Sequence, residues 1–327
     1  MRLNGERKRR NAHGRFSELL GVFGALVVIF LLLSVLPQTS SKFLTSSNLF
    51  NVARQITVNI ILACGLTMAI LIGGIDLSVG SVIAVSSCLV GGLITNNGFS
   101  VWAAIAVALL SGVVFGAING LMISRTTIPP FIVTLATMNI GRGIARLYTD
   151  SKTILITNDV FSYIGKGKLF DEVPIQIVYL LVVCFAAWVI LNRTRFGRHI
   201  YAVGDNEQAA EYTGINVRRT KFIVYVLVGF FAAIAGVLTA ARTGSGLFSA
   251  GEGYEMDAIA AVVLGGTSML GGEGTLAGSI IGAVIIGILS NGMNLLGFKS
   301  AWQYVVKGIV LVIAVLIDYF KKKSEKD

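Results

Sequence analysis

Long apolar stretches separated by short polar ones run along almost the whole chain. A helix rises 1.5 Å per residue, so an apolar run of about 18 residues can cross the roughly 30 Å hydrocarbon core of a bilayer. Runs of this length favour a helical bundle over a β-barrel, whose strands are shorter and alternate in polarity. The pattern predicts an all-α polytopic membrane protein with about ten transmembrane helices. The predicted spans are 19–36, 52–72, 78–95, 101–123, 129–147, 175–192, 221–241, 256–270, 275–294 and 301–320.

Composition leads to the same class of protein. Of the 327 residues, 54% are hydrophobic and 13% are charged, whereas about a quarter of the residues of soluble domains are charged. An ordinary soluble globule is therefore excluded. The net charge is +10, but the cations cluster at span ends and form no nucleic-acid-binding face, so no nucleic-acid partner is predicted. The clusters are Arg7, Lys8, Arg9 and Arg10; Arg193, Arg195, Arg198, Arg218, Arg219 and Lys221; and Lys321, Lys322 and Lys323.

Basic residues in short loops mark the cytoplasmic side of a membrane protein. With about ten spans all three clusters fall on one side, so both termini are predicted to be cytoplasmic. The predicted organisation is a cytoplasmic tail over 1–18, a single transmembrane domain over 19–320 and a second cytoplasmic tail over 321–327. The domain includes a cytoplasmic loop over 193–219.

Glycine recurs at every fourth position in two of the predicted spans. Such stripes of small residues let two membrane helices approach closely, so they predict helix packing and no ligand site. The helix-packing positions are Gly112, Gly116 and Gly120 in the first stripe and Gly274, Gly278 and Gly282 in the second.

Glycine pairs interrupt two apolar runs, in ILIGGIDLSVGSVIA and in VVLGGTSMLGGEGTLAG. We call residues 73–80 the first break and residues 265–274 the second break. Irregular backbone at membrane depth persists only beside protein or water, so paired breaks in the two halves of a transporter indicate its pathway. Their similarity also predicts an internal duplication. The candidates for lining or gating the pathway are Asp76, Ser78, Thr267 and Ser268.

Asp76 lies deep within apolar sequence, where an ionisable residue marks a functional site by default. Three interpretations are open. Asp76 caps the N–H groups of the following helix, it lines or gates the pathway, or it relays protons. A relay needs a chain of titratable partners, and the sequence shows none.

Arg142 and Arg146 are four residues apart on one helical face. They are expected to reach the interface or to pair with Glu255 or Asp257 at the start of the eighth predicted span. Recognition of a substrate carboxylate by Arg142 is the alternative.

The polar 193–219 loop contains Asp205-Asn206-Glu207, two alanines and then Gly214. This order predicts a short capped helix that ends at a glycine. Such a helix beside arginines could seat in a groove of another protein, although an ordinary solvated loop helix is also possible.

No nucleotide-binding loop, dinucleotide fingerprint or nucleophile elbow occurs in the chain. No catalytic residue is therefore assigned, and the three cysteines show no metal-ligand spacing. The protein is expected to be a non-enzymatic subunit that binds no metal or cofactor of its own, and a passive channel also remains possible.

Four separated motifs resemble permease subunits of sugar ABC importers, the ribose/xylose/galactose group of the branched-chain permease superfamily. They are RFGRHIYAVGDNEQAAEYTGINV at 195–217, GGIDLSVGS at 73–81, IPPFIVTLATM at 128–138 and GYEMDAIAAVVLGGTSMLGGEGT at 253–275. The ending at 291–318 looks closest to ribose permeases. The loop departs from the family at Asp205, where such loops often carry glycine, and the second break departs at Met269, Leu270 and Glu273.

The resemblance implies a permease subunit that moves a monosaccharide, most of all ribose, across the bacterial inner membrane. A cytoplasmic ATPase with two nucleotide-binding modules would bind ATP and Mg²⁺, an extracytoplasmic sugar-binding protein would deliver the solute, and a second permease copy would complete a homodimer. The 193–219 loop would be the segment that couples to the ATPase, and we call it the coupling segment. Its implied coupling residues are Gly197, Arg198, Ala202, Gly204, Asn206, Glu207, Ala209, Ala210, Gly214 and Ile215.

Two alternatives stay open at this point. The substrate could instead be xylose, galactose, an autoinducer-type sugar or a branched-chain amino acid. In a different class, the protein could be an ion-coupled secondary carrier, which Asp76 alone would support.

Overall fold

The computed structural model describes residues 21–170 and 172–324. The predicted 1–18 tail and residues 325–327 of the other predicted tail lie outside the described residues. The longer helices are α1 (Gly21–Val35), α3 (Ser46–Leu71), α4 (Val79–Thr95), α5 (Val101–Arg125), α6 (Pro130–Thr149), α8 (Gln176–Arg193), α11 (Val217–Thr243), α13 (Leu276–Leu295) and α14 (Ser300–Ser324). The shorter helices are α2 (Ser40–Phe43), α7 (Asp159–Lys166), α9 (Arg195–Asp205), α10 (Glu207–Tyr212) and α12 (Tyr254–Leu264).

Two very short antiparallel strand pairs accompany the helices, so the all-α prediction holds for nearly the whole fold. β1 (Ile154–Leu155) pairs with β4 (Ser245–Gly246), and β2 (Lys168–Leu169) pairs with β3 (Val173–Pro174). Pairing of β1 with β4 joins the loops that follow α6 and α11.

Side-chain caps explain where many helices begin. A Ser, Thr or Asn side chain accepts a hydrogen bond from a backbone N–H that lacks a partner in the first helical turn. Such caps start α3, α5, α7, α9, α10, α11 and α13, and the capping residues are Thr45, Ser100, Asn158, Thr194, Asn206, Asn216 and Thr275.

The core is built around α3 and α11, which are largely buried, while α8 and α14 lie at the periphery. Large apolar side chains such as Leu110, Phe185 and Ile309 are exposed on the outer helices. An apolar outer surface suits lipid contact, because lipid tails are as apolar as these side chains. The fold is therefore that of a multi-pass membrane protein.

Among the described residues, six helices are long and apolar enough to cross a membrane: α3, α5, α8, α11, α13 and α14. Helices α1 and α4 are apolar but shorter. The prediction of a span over 256–270 is wrong as a single helix, because α12 has 11 residues and ends at Leu264. At 1.5 Å per residue such a helix covers about 16 Å, roughly half of a hydrocarbon core. The predicted boundary after residue 320 also falls within α14, which continues to Ser324.

The first glycine stripe lies where α5 crosses α11. A Cβ atom added at Gly112 or Gly116 would overlap backbone carbonyl oxygens of α11, and at Gly120 it would come within 2.8 Å of the Phe222 carbonyl oxygen. The backbones of the two helices are thus in direct contact, an approach that only glycine permits.

The second stripe lies against α12. Added Cβ atoms at Gly278 and Gly282 would overlap the carbonyl oxygens of Gly265 and Ala261. Gly274 lies before α13, in the second break, and has a φ of +150°.

The coupling segment lies at one end of the bundle, which we call the coupling end. Helix α4 starts next to the first break, near the coupling end, and runs to Thr95, whose hydroxyl donates to the Leu155 carbonyl of β1 at 3.0 Å. The β1–β4 pair therefore lies at the opposite end.

Candidate functional site

The coupling segment folds as two helices, whereas the sequence pattern predicts one. Thr194 Oγ1 accepts from Gly197 N at 3.1 Å and starts α9. Asn206 Oδ1 accepts from Ala209 N at 2.9 Å and starts α10. Gly214 follows α10 with a φ of +85°, a left-handed conformation that glycine adopts without strain. The expected cap and glycine stop are both present.

Helix α10 projects from the protein with most of its surface uncovered. Ala210 is buried, whereas the neighbouring Ala209 is exposed, so the two alanines face different ways. Tyr212 is 90% exposed, an unusual position for a large aromatic side chain. Glu207 is held by Lys221 of α11, whose Nζ lies 2.7 Å from Oε2, so the base of α10 is fixed to the bundle.

The other implied coupling residues are distributed between surface and interior. Arg198, Asn206, Glu207 and Gly214 are exposed, whereas Ala202, Gly204 and Ile215 are half-buried and Gly197 is buried. A Cβ atom at Gly197 would overlap the Leu191 carbonyl oxygen, so Gly197 permits the tight turn between α8 and α9.

Gly204 docks α9 onto the end of α3, next to the first break, and onto the second break. A Cβ atom at Gly204 would overlap the Leu71 carbonyl oxygen at the end of α3 and lie 2.6 Å from Gly272 N. Gly272 N in turn donates to the same Leu71 oxygen at 2.9 Å. A Cβ atom added at Gly271 would lie 2.9 Å from Gly73 N. We call the meeting point of Gly73, Gly204, Gly271 and Gly272 the glycine joint.

A side-chain hydrogen bond reinforces the glycine joint. The Tyr201 hydroxyl of α9 donates to the Gly274 carbonyl of the second break at 3.1 Å. The two breaks, which are far apart in sequence, are thus brought together beneath one helix of the coupling segment. Helix α9 therefore lies against the point where the two breaks meet.

A chain of buried polar side chains extends from the first break. Asp76 Oδ1 accepts from Ser78 N at 2.8 Å and from Ser78 Oγ at 2.6 Å. Asn119 Nδ2 of α5 donates to Ser78 Oγ at 2.9 Å, and Thr137 Oγ1 of α6 donates to Asn119 Oδ1 at 2.8 Å. Asp76 and Ser78 are buried. The prediction that Asp76 caps α4 is wrong, because Asp76 binds the N–H of Ser78, which precedes α4, and no side chain caps the first turn of this helix. A pathway role for Asp76 stays a prediction.

The candidates of the second break are buried as well. The Thr267 and Ser279 hydroxyls are 3.3 Å apart, which holds the break against α13. Ser268 Oγ donates to Asp318 Oδ2 of α14 at 3.4 Å and accepts from Leu270 N at 3.2 Å. Neither side chain faces an open channel in this conformation, so their pathway role also stays a prediction.

Sequence reasoning missed Asn119, Thr137 and Tyr225. An amide in the middle of a glycine-striped apolar run was the signal that could have identified Asn119. Tyr225 is completely buried, and its hydroxyl has no hydrogen-bond partner among the described residues. That hydroxyl lies against Gly74, where a Cβ atom would overlap it. Nothing in the sequence around Tyr225 indicates this contact.

Neither expected partner, Glu255 or Asp257, forms an ion pair with Arg142 among the described residues. Asp257 pairs with Lys307 of α14, with Nζ 2.6 Å from Oδ2. Arg142 instead donates to the Ala250 carbonyl at 2.6 Å. No pattern in the sequence selects Lys307, because it lies 50 residues further along the chain.

Within residues 21–170 and 172–324, no group of three or more His, Cys, Asp or Glu side chains could hold a metal ion. What the arrangement provides is mechanical: an exposed helix, a fixed base and a rigid contact with two irregular segments inside the bundle.

Comparisons with known proteins identify the family of the chain. Residues 48–315 match the family described as "Branched-chain amino acid transport system / permease component". The ribose import permease protein of Bacillus subtilis strain 168 is 45% identical over 324 residues, 98% of each chain. That of Escherichia coli strain K12 is 42% identical over 91% of this chain and 94% of its own.

The L-arabinose transport system permease protein of Escherichia coli K12 is 36% identical over 95% of this chain and 94% of its own length. A solved structure titled as an inward-facing metal-chelate type ABC transporter aligns with a TM-score of 0.51. That alignment covers 93% of this chain and 98% of the other at 13% identity, so it shows a shared fold alone. The chain therefore belongs to the permease component family of branched-chain amino acid transport systems, alongside the ribose and L-arabinose permeases.

Proposed function

We propose that the protein is the permease subunit of an ATP-driven importer that moves a monosaccharide, with ribose as the first candidate. The observation that carries the proposal is the exposed α10 connected through α9 to both breaks. Membership of the permease family and 45% identity to a ribose import permease support the substrate. The protein hydrolyses no ATP itself, because its sequence has no nucleotide-binding loop.

The proposed topology has about ten membrane crossings with both termini in the cytoplasm. The basic clusters at 193–221 and 321–323 support this orientation. Helix α12 and the irregular segment before it together make one crossing. The segment starts at β4 at the opposite end, passes Gly80 of α4, where a Cβ atom would lie 2.5 Å from the Gly251 carbonyl oxygen, and continues into α12.

The proposed partners follow from this orientation. A cytoplasmic ATPase with two nucleotide-binding modules receives α10 and holds ATP and Mg²⁺. An extracytoplasmic binding protein delivers the sugar to the opposite end, and a second copy of the chain completes the membrane unit in the bacterial inner membrane. The exposed Tyr212 supports a protein contact at α10, because exposed aromatic anchors are enriched among residues that dominate interface energies.

The proposed mechanism is a lever. ATP-driven closure of the ATPase would move α10, and the Glu207–Lys221 ion pair and the glycine joint would carry the movement to both breaks. Packed helices have discrete arrangements rather than a continuous range, so the bundle would switch between inward-facing and outward-facing states. The ATPase shifts that equilibrium only by binding the two states with different affinity.

The test is uptake by proteoliposomes that contain the protein, its ATPase and its binding protein. Arg198→Ala combined with Ala209→Lys should abolish uptake of labelled ribose while leaving membrane insertion intact. Tyr212→Ala should weaken ATPase binding about tenfold or more, as expected when an interface anchor is truncated. Val312→Ala, on the exposed surface of α14, is the control and should transport normally. Normal uptake by the double variant would contradict the coupling role.

The D-allose and L-arabinose permeases of Escherichia coli, 34% and 36% identical to this chain, favour other monosaccharides as second candidates. Competition of uptake by ribose, xylose, galactose and leucine would rank the substrates, and leucine should not compete. Uptake that survives ATP depletion and disappears with the proton gradient would support an ion-coupled carrier instead.

A further inference from the structure

Helix α6 carries a stripe of polar side chains between apolar ones. Asn139, Arg142 and Arg146 are three and four residues apart, so they lie on one face of the helix. The exposed Ile140 and Ile144 lie on the outward face. Arg142 is seven residues before the end of α6 at Thr149, which places it about 10 Å inside the helix end. These polar side chains are therefore at membrane depth.

The two arginines of the stripe face the irregular segment that precedes α12, whereas the exposed Asn139 donates to the Leu135 carbonyl of its own helix. Arg142 Nη1 donates to the Ala250 carbonyl at 2.6 Å, and the Arg146 guanidinium lies 6.0 Å from the centre of the Phe248 ring. The Glu252 and Glu255 carboxylates are within electrostatic reach of Arg142. Two cations, Arg142 and Arg146, and two carboxylates are thus gathered near the start of α12.

The polar groups converge next to Gly80 of α4. A Cβ atom placed there would overlap Glu255 Oε2 and would lie 2.5 Å from the Gly251 carbonyl oxygen and 3.1 Å from Arg142 Nη2. Glu255 Oε2 is buried and accepts no hydrogen bond from the residues that the structure describes. A buried carboxylate oxygen without a donor costs free energy, about 1–3 kcal/mol or more, unless a ligand or water supplies the donor.

Part of this surface is open. Glu252 and Asn139 are exposed, and Arg142 and Glu255 are half-buried. Charged side chains at membrane depth do not face lipid, because hydrocarbon offers them no hydrogen-bond partner. The face made by the stripe of α6 and residues 250–255 must therefore border water, a solute or protein.

We propose that Arg142, Glu252 and Glu255 form a hydroxyl-binding station for a neutral sugar, part-way along the translocation path. A guanidinium supplies several donors and carboxylates supply only acceptors, which together match neighbouring hydroxyl groups that both donate and accept. Gly80 lets the Glu255 carboxylate approach α4. This inference rests on the proposed function, because it gives that path its solute contacts.

The first experiment tests whether the face is aqueous. In a variant with Cys64, Cys88 and Cys184 replaced by alanine, single cysteines are introduced as Asn139→Cys and Glu252→Cys. Both should react with a hydrophilic methanethiosulfonate reagent at least tenfold faster than the matched control Ile140→Cys, which is at the same depth of α6 but on its exposed apolar face. Ribose delivered by the binding protein should slow the labelling of the Glu252→Cys variant. Equal labelling rates of the Asn139→Cys and Ile140→Cys variants, or no labelling of the Glu252→Cys variant, would overturn the inference and identify the face as a protein contact.

The second experiment tests hydroxyl recognition in the complete transporter. Glu255→Gln keeps the shape of the side chain but replaces one acceptor oxygen by a donor. Ribose taken up per ATP hydrolysed should fall about tenfold, the loss expected for one hydrogen bond to a charged group. Uptake of 2-deoxyribose relative to ribose should rise, because the variant no longer favours the sugar that carries the 2-hydroxyl group. Glu252→Gln, at an exposed position, provides the same readout if Glu255→Gln does not assemble.

A structural role alone would lower uptake of both sugars equally, and that result would overturn the inference. Preferential uptake of a zwitterion such as leucine over ribose would also overturn the inference. If the unaltered transporter moves no sugar while the labelling contrast between Asn139 and Ile140 persists, then the proposed substrate is wrong but the aqueous face stands. If sugar is transported and the contrast is absent, only the binding station is wrong.

Discussion

Replacement of Gly204 by alanine tests the connection between the coupling segment and the two breaks. The added methyl group would overlap the Leu71 carbonyl oxygen, and its separation from Gly272 N would have to grow from 2.6 Å to at least 3.4 Å, the lower limit of ordinary contact. Neither neighbour is a flexible side chain, so the backbones themselves must move apart. The Gly272 N–H to Leu71 hydrogen bond, 2.9 Å long, would lengthen as they do.

The cost follows from these contacts. Overpacking of a close contact costs about 1–3 kcal/mol, and loss of the backbone hydrogen bond adds about 0.5–1.5 kcal/mol. A total of about 1.5–4.5 kcal/mol against the docked arrangement corresponds to a factor between about ten and more than a thousand in its population. We therefore expect Gly204→Ala to separate ATP hydrolysis from transport.

The assay measures ribose uptake and ATP hydrolysis in the same proteoliposomes, together with the melting temperature in detergent. Uptake per ATP hydrolysed should fall at least tenfold and the melting temperature should fall by several degrees. Gly308→Ala is the matched control, because nothing lies within 4 Å of a Cβ atom at Gly308, and alanine is favoured over glycine in a helix. A Gly204→Ala protein with unchanged uptake and melting temperature would refute the reasoning.

Three further predictions concern packing and buried polar contacts. Gly116→Val should prevent close contact of α5 with α11, and it should reduce the yield of monodisperse protein in size-exclusion chromatography; an unchanged profile would contradict direct backbone contact. Lys307→Ala should destabilise the protein by about 3–5 kcal/mol by leaving Asp257 unpaired, whereas Lys307→Met with Asp257→Leu should cost far less; equal losses of thermal stability in both variants would show that the ion pair is not the cause. Asn119→Leu should cost about 1–3 kcal/mol because the buried Ser78 and Thr137 hydroxyls each lose one hydrogen bond, and a melting temperature equal to that of the unaltered protein would disprove that expectation.

The helical elements were largely predictable, because an apolar run long enough to cross a bilayer satisfies its backbone polar groups there by folding as a helix. Prediction failed for α12. Residues 256–270 remain rich in apolar and small side chains, but the helix ends at Leu264. Hydropathy records composition and not backbone conformation, so a loop of glycine, serine and threonine packed inside a bundle looks the same as part of a span. Helix α6 shows the reverse case, since its polar stripe lowers the hydropathy of a full-length helix.

The local structure of the coupling segment was also predictable. Asn206, Glu207 and Gly214 predicted a capped helix with a glycine stop because caps and left-handed residues depend only on nearby backbone. The partner of Asp257 was not predictable, because a distant α14 decides which cation reaches it.

The sequence by itself determined the class of protein, the ends of most helices, the position of the exposed helix α10 and the presence of two irregular breaks. Each of these depends on composition or on interactions within a few residues. Only the tertiary structure decided that Gly204 of α9 packs against Leu71 and the second break, that Asn119 continues the polar chain from Asp76, and that Arg142 faces Ala250. Such contacts join residues far apart in the chain, and their geometry is fixed by how the helices pack.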